Sequence, residues 1–359
     1  MNDARTRTTT TRRGSATAAK RASILCAATL IGSLAAGAPV ASAQMTGGGA
    51  GESYLVVVSG IGGEPQYKES FLAWGRSLVE SAVARHGVPK TNVRFLVEQP
   101  DAAPGVATGK STKAELEAVL KDLGGRAGPN DQVTIVLIGH GSYQGGVSAF
   151  NLSGPDLTAE DFGVLLSAFR APVVFANTTS ASGEFVRTLA GPNRVVLAAT
   201  KSGNERNESV FGKHFADAFA GDGSDTDKDG RVSVLEAFEY ARLQTLHEYE
   251  TDSRLLTEHA VLDDNGDGVG ESAPGTQKQD GSIAAAMYLG TAAAAMGLPA
   301  DASPALRALY DTKASLEKRI AELRSRKDSM DAAEYERQLE ALLLELAQTN
   351  RRIREAGGG

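Results

Sequence analysis

Two polar segments in this chain follow apolar runs so as to bring an acid–base group and a nucleophile together. His140-Gly141 closes the run Val133–Ile138, and Ser180-Ala181-Ser182-Gly183 follows the run Val173–Phe175. Short, near-continuous apolar runs of this kind read as strands buried on both faces of a parallel sheet. Ligands gather at the carboxyl ends of such strands, so the imidazole and the hydroxyl would share one edge. That pairing is the arrangement of a histidine-assisted acyl-transfer site. A serine hydroxyl, however, needs a base to take its proton and a third group to orient that base. No acid stands at an obvious position to orient His140, and Thr178 and Thr179 are poorer nucleophiles still. Two readings therefore stand side by side. One is a binding or scaffolding protein whose site does not react; the other is a hydrolase in which Ser180 attacks a peptide or ester carbonyl with His140 as base.

A second chemistry is written at Asp225-x-Asp227-x-Asp229-Gly230-Arg231-Val232-Ser233-x-x-Glu236. These twelve residues match an EF-hand calcium loop. Alternate acidic side chains converge on one ion, Gly230 permits the sharp turn, and Glu236 closes the shell from the first turn of the exit helix. Ca2+ is the expected cofactor, with Asp225, Asp227, Asp229, Arg231, Ser233 and Glu236 as ligands; the alternative is an acidic turn that holds only water. Asp263-Asp264-Asn265-Gly266-Asp267-Gly268 repeats the first half of the pattern, which makes Asp263, Asn265 and Asp267 candidate ligands. Pro274 stands at its twelfth position and cannot donate an oxygen from a side chain, so calcium and a plain turn both remain open there. Glu258-His259 reads as a structural cap or core contact, because no second His or Cys stands at metal spacing.

The strand ending in His-Gly and the later strand ending in Ser-x-Ser-Gly resemble the caspase-like and legumain-like cysteine peptidases of the peptidase C13 group, which carry Cys where this chain has Ser180. The resemblance covers roughly residues 53–220. It implies a caspase-like fold and His140 as general acid/base, and it makes the backbone N–H groups of Gly141 and Ser180 the oxyanion hole. It also makes Ser59-Gly60 and the loop Ser202–Ser209 the pocket walls, and a peptide or protein the ligand. The only cysteine, Cys26, lies in what reads as a removable leader. A mature chain without a thiol has no thiolate mechanism.

The elements that must position these groups alternate in βαβ order. Strands are expected at Tyr54–Val58, Val93–Val97, Val133–Ile138, Val173–Phe175 and Val195–Ala199. Between them one helix carries Phe71, Trp74, Leu78 and Ala82 at three- and four-residue spacing. A second opens at the capping box Thr112-x-x-Glu115, and a third is capped by Thr158. The fold class is thus α/β, a doubly wound, mostly parallel sheet with helices on both faces. Helical patterns at Val210–Phe219 and Val234–Leu246 flank the first acidic loop. Ile283–Leu298, rich in alanine, reads as a core helix or strand. Residues 301–359 add an amphipathic hairpin, with Ser303-Pro304 opening one helix and Asp331 the next across a turn at Lys327-Asp328-Ser329. Its stripes, Leu309, Leu316, Ile320 and Leu323 against Tyr335, Leu339, Leu342, Leu346 and Ile353, offer a route to self-association.

Residues 1–43 combine a basic start, an apolar stretch and Ala41-Ser42-Ala43, the three parts of an export signal. The chain then divides into a Gly-rich spacer (44–52), the α/β domain (53–220), a calcium-binding segment with the end of the core (221–300) and the hairpin (301–359). Export to the periplasm or the medium is expected, with no stable membrane insertion once the leader is gone. The 43 residues hold six of 37 basic and one of 44 acidic residues, so the remainder carries a formal charge of −12. Such a surface repels nucleic acid. His86, His214 and His247 read as surface or helix residues.

Overall fold

The structure is a computed structural model that describes residues 51–290, 303–325 and 330–357. The leader, the Lys327–Ser329 turn and the second half of the Ala-rich stretch lie outside the described residues. Five strands form where continuous apolar runs predict them: β1 (Ser53–Ser59), β2 (Val93–Val97), β4 (Gln132–Ile138), β8 (Val173–Asn177) and β9 (Arg194–Ala198). Two short edge strands, β3 (Gly109–Lys110) and β10 (Val261–Asp263), complete a seven-stranded sheet of order β10-β9-β8-β4-β1-β2-β3. All pairings are parallel except β10 on β9. The direction of winding reverses between β1 and β4, which leaves a crevice above the carboxyl ends of those two strands.

Alternation along each strand builds two cores. Leu55, Val57, Phe95, Val136, Val174 and Leu197 face one layer, which holds α1 (Pro65–Ala84), α5 (Phe211–Ala220) and α6 (Val234–Thr251). Val56, Val58, Leu96, Ile135, Phe175 and Val196 face the other, which holds α2 (Lys113–Arg126), α3 (Ala159–Leu166) and α4 (Glu184–Leu189). The α/β class expected from the sequence is what the chain forms.

Local signals act with one difference. Thr158 and Asp161 make a reciprocal capping box at α3. At α2 the Thr112 hydroxyl accepts from the Glu115 N–H, but the Glu115 carboxylate accepts from the N–H of Lys110, in edge strand β3. Residues 283–290 form neither core helix nor strand, only a single 3-10 turn at Ala284–Ala286 and a bridge from Tyr288 to Ser233. Helices α7 (Pro304–Ser325) and α8 (Ala332–Gly357) share a small apolar cluster of Leu316, Ile320, Leu323 and Leu342. The Ser303 hydroxyl accepts from the Leu306 N–H at the start of α7. Among the described residues, no helix is long and apolar enough to cross a membrane.

Candidate functional site at the carboxyl edge

His140 leaves β4 at the switch point, and Ser180 lies in the loop after the neighbouring strand β8. The two loops meet through backbone. Ser180 Oγ accepts from the Gly141 N–H (3.3 Å) and donates to the Gly141 carbonyl (3.3 Å). The approach requires glycine, because a Cβ at position 141 would run into the Ser180 carbonyl oxygen and lie 2.7 Å from Thr179 Oγ1. The imidazole of His140 instead packs edge-on against Tyr67 and Phe71, with ring centroids 4.9 and 5.0 Å away. It has no hydrogen-bond partner among the described residues, so no carboxylate orients it.

The Ser180 loop is over-determined. Ala181 holds a left-handed φ of 53°, a conformation that costs a non-glycine residue about 1 kcal/mol or more. It is kept there by its N–H donating to the Glu205 carbonyl (2.7 Å) and its carbonyl accepting from Ser148 Oγ (2.9 Å). Thr200 Oγ1 accepts from the N–H groups of Ser182 (2.8 Å) and Gly183 (3.1 Å). Thr178 and Thr179 are buried and bonded, to the Leu137 carbonyl and to Asn177 Oδ1 respectively. Glu205 belongs to the Ser202–Ser209 loop, which therefore touches the Ser180 loop directly. Ser59-Gly60 abuts the same edge through the Gly60 N–H, which donates to the Ile138 carbonyl.

A three-stranded antiparallel sheet, β5 (Gly141–Gln144), β6 (Val147–Phe150) and β7 (Leu157–Thr158), roofs this edge and goes beyond the strands expected from the sequence. Its signal is Gly145-Gly146 between two short runs, a two-residue hairpin turn. Tyr143 on β5 lies under the Arg206 guanidinium, 5.7 Å from ring centroid to Cζ.

Of the other histidines, His214 and His247 lie in helices α5 and α6 as the sequence reading allowed, whereas His86 follows the end of α1 and departs from it. His86 and His214 are both buried. His86 Nε2 meets the Phe219 carbonyl (2.8 Å) and His214 Nε2 meets Glu248 (2.9 Å), and desolvation holds both imidazoles below their ordinary pKa. Glu258 caps α5, accepting from Ser209 Oγ and the N–H groups of Val210 and Phe211. Burial pushes its pKa up, and those hydrogen bonds only partly offset the rise. His259 pairs with Glu205 (2.7 Å).

The first acidic loop joins α5 to α6 at the opposite, amino-terminal edge. Asp225, Asp227 and Asp229 bring carboxylate oxygens within 4.8 Å of one another. Desolvation, followed by the charge of Asp229, pushes Asp227 up. Arg231 ion-pairs with Asp229 (2.7 Å) and lies over the Tyr288 ring, whose hydroxyl is pushed up to about 12 by burial. Glu236 lies outside that three-carboxylate group. Its Oε1 accepts from the Thr226 and Asp227 N–H groups, and its Oε2 from Ser233. Burial alone would raise the Glu236 pKa, but these bonds together lower it. The donor set is entirely oxygen, which fits a hard divalent cation. The second acidic loop follows β10, which runs antiparallel to β9 and so delivers it to the same amino-terminal edge.

No family model matches the chain, and no curated protein matches it. Among solved structures, the chain is similar to protein GSU0716 from Geobacter sulfurreducens, at 12% identity over 54% of this chain and 89% of that one, with a TM-score of 0.37. It is also similar to the Drosophila initiator caspase Dronc, at 11% identity over 60% of this chain and 81% of that one, with a TM-score of 0.39. Both likenesses are distant, and the α/β assignment rests on the strand order and register described above.

Proposed function

We propose that this chain is an exported, caspase-like α/β protein with a non-catalytic site, which holds a peptide or protein segment at the carboxyl edge and Ca2+ at the Asp225–Glu236 loop. One observation carries the non-catalytic reading. The Ser180 hydroxyl is bonded to the backbone of Gly141, on both its donor and acceptor sides, while His140 faces aromatic edges. The N–H that the peptidase resemblance assigns to an oxyanion is thereby directed at the nucleophile's own oxygen, and a base without an orienting partner is a poor proton acceptor. The left-handed Ala181 supports a binding role for the loop, since such strain gathers at functional sites. Tyr143, Arg206 and Tyr67 give that edge aromatic and cationic surface suited to an extended peptide.

A peptide-library assay on the protein and on Ser180→Ala, with and without calcium, tests this. No turnover is expected from either protein, and retention of both on the immobilised library is expected. Turnover by the parent that Ser180→Ala abolishes would establish the hydrolase instead; failure to retain either protein would remove the peptide-holding role.

When bound, Ca2+ would supply a fixed positive charge at the amino-terminal edge, held by Asp225, Asp227, Asp229, Ser233, Glu236 and the carbonyl of Arg231. At tenfold excess over a dissociation constant of about 10⁻⁴ M, such a site stabilises by about 1.4 kcal/mol. For a chain of this size that is about 2 °C in Tm. A chelator is expected to lower the Tm of the parent by that much more than it lowers the Tm of Asp225→Ala/Glu236→Ala. Equal losses in the two proteins would take calcium away from this loop.

A further inference from the structure

We infer that the Asp263–Gly268 loop is a second and separate calcium site, closed by Asp280, a residue outside the loop. The two acidic loops share three backbone-to-side-chain bonds at matching positions, and differ in the remaining bond to the first carboxylate, which comes from Asp229 in the first loop and from Gly266 in the second. The N–H of the sixth residue donates to the first carboxylate in both, Gly230 to Asp225 (3.1 Å) and Gly268 to Asp263 (2.5 Å). The N–H of the fifth donates to the third, Asp229 to Asp227 (3.0 Å) and Asp267 to Asn265 Oδ1 (2.8 Å). The N–H of the seventh donates to the fifth, Arg231 to Asp229 (2.8 Å) and Val269 to Asp267 (2.7 Å). Both sixth-position glycines hold left-handed φ, 85° and 77°.

The loops differ at the twelfth position, where the first has Glu236 and the second has Pro274. Asp280 stands in for the missing carboxylate. It is fully buried, and its Oδ1 accepts from the N–H groups of Asp264 (3.0 Å) and Asn265 (3.2 Å), which seats the carboxylate against the loop. Its Oδ2 is buried with no partner. A buried carboxylate oxygen without a partner is costly, and a cation beside it removes that cost. Asp264 fixes the approach from the other side, since its carboxylate accepts from the N–H groups of Gly281, Ile283 and Ala284. The donors, Asp263, Asn265, Asp267 and Asp280, are all oxygen, which selects a hard cation such as Ca2+ over zinc.

The test is the number of calcium ions bound per full-length chain, by equilibrium dialysis and elemental analysis. Two are expected for the parent and one for Asp280→Asn. Asp267→Ala, at an exposed position, is likewise expected to bind one and guards against a folding defect at the buried residue. One ion is expected for Asp225→Ala/Glu236→Ala. A parent with a single ion that Asp267→Ala removes would keep this site while emptying the first loop. Stoichiometry unchanged in both Asp267→Ala and a folded Asp280→Asn would overturn the proposal.

Discussion

Replacing Asp264 by alanine is expected to destabilise the protein by about 3–5 kcal/mol, because three buried or half-buried N–H groups lose their acceptor together and each unsatisfied group costs about 1–3 kcal/mol. Gly281, Ile283 and Ala284 donate to this one carboxylate at 2.8–2.9 Å, and no backbone carbonyl replaces it. The loss is larger than that of an ordinary side-chain hydrogen bond because the carboxylate organises the whole passage from the second acidic loop into the 3-10 turn. Asp264→Asn keeps one acceptor oxygen and is expected to lose about half as much. Urea unfolding with an unchanged m-value measures both. A cost below about 1 kcal/mol for the alanine variant would mean that the passage is not held in this way.

Gly141→Ala is expected to cost about 2–4 kcal/mol, whereas Ser180→Ala costs about 1 kcal/mol or less. The two residues touch, yet they fail differently. A methyl group at 141 meets the Ser180 carbonyl and Thr179 Oγ1, and that loop cannot retreat while Thr200 and Glu205 hold it from behind. Truncating Ser180 removes only two long hydrogen bonds. Chemical denaturation of the two variants side by side tests the ranking. A Ser180→Ala cost at or above that of Gly141→Ala would show that the hydroxyl, not the close backbone approach, joins the loops.

The central sheet is legible because its five inner strands are buried on both faces and so spell continuous apolar runs. The edges are not. β3 has two residues, and β10 has three that run into an acidic loop, so neither carries a pattern long enough to read. Gly145-Gly146 announces the β5–β6 hairpin, but β5 is Gly-Ser-Tyr-Gln and each strand has four residues, too short and too polar to stand out beside the apolar runs. Glu115 shows the limit of local motifs: its spacing from Thr112 is that of a capping box, but a strand N–H brought in by the fold captures its carboxylate. His86 and His214 look unpartnered in sequence because Phe219 and Glu248 lie 133 and 34 residues away. The same holds for the candidate sites. His140 and Ser180 can be placed at one edge from strand order alone, but the serine's actual partner is backbone, which no side-chain pattern announces. Asp280 lies beyond the end of the acidic motif it contacts, so spacing rules pass over it.

The segment from Asp280 to Leu289 touches both acidic loops and the starts of two central strands. Asp280 meets Asn265, the Val234 N–H donates to the Met287 carbonyl, Gln132 binds the Tyr288 carbonyl, and Ser53 binds the Leu289 carbonyl. The groups that would carry ions are therefore clamped to the floor of the sheet, while the loops that would meet a ligand hang from its ceiling. A protein wired in this manner keeps its two ends on separate storeys: a change among residues 141–150 or 178–183 leaves the bonds of residues 280–289 in place, even where, as at Gly141, it costs stability.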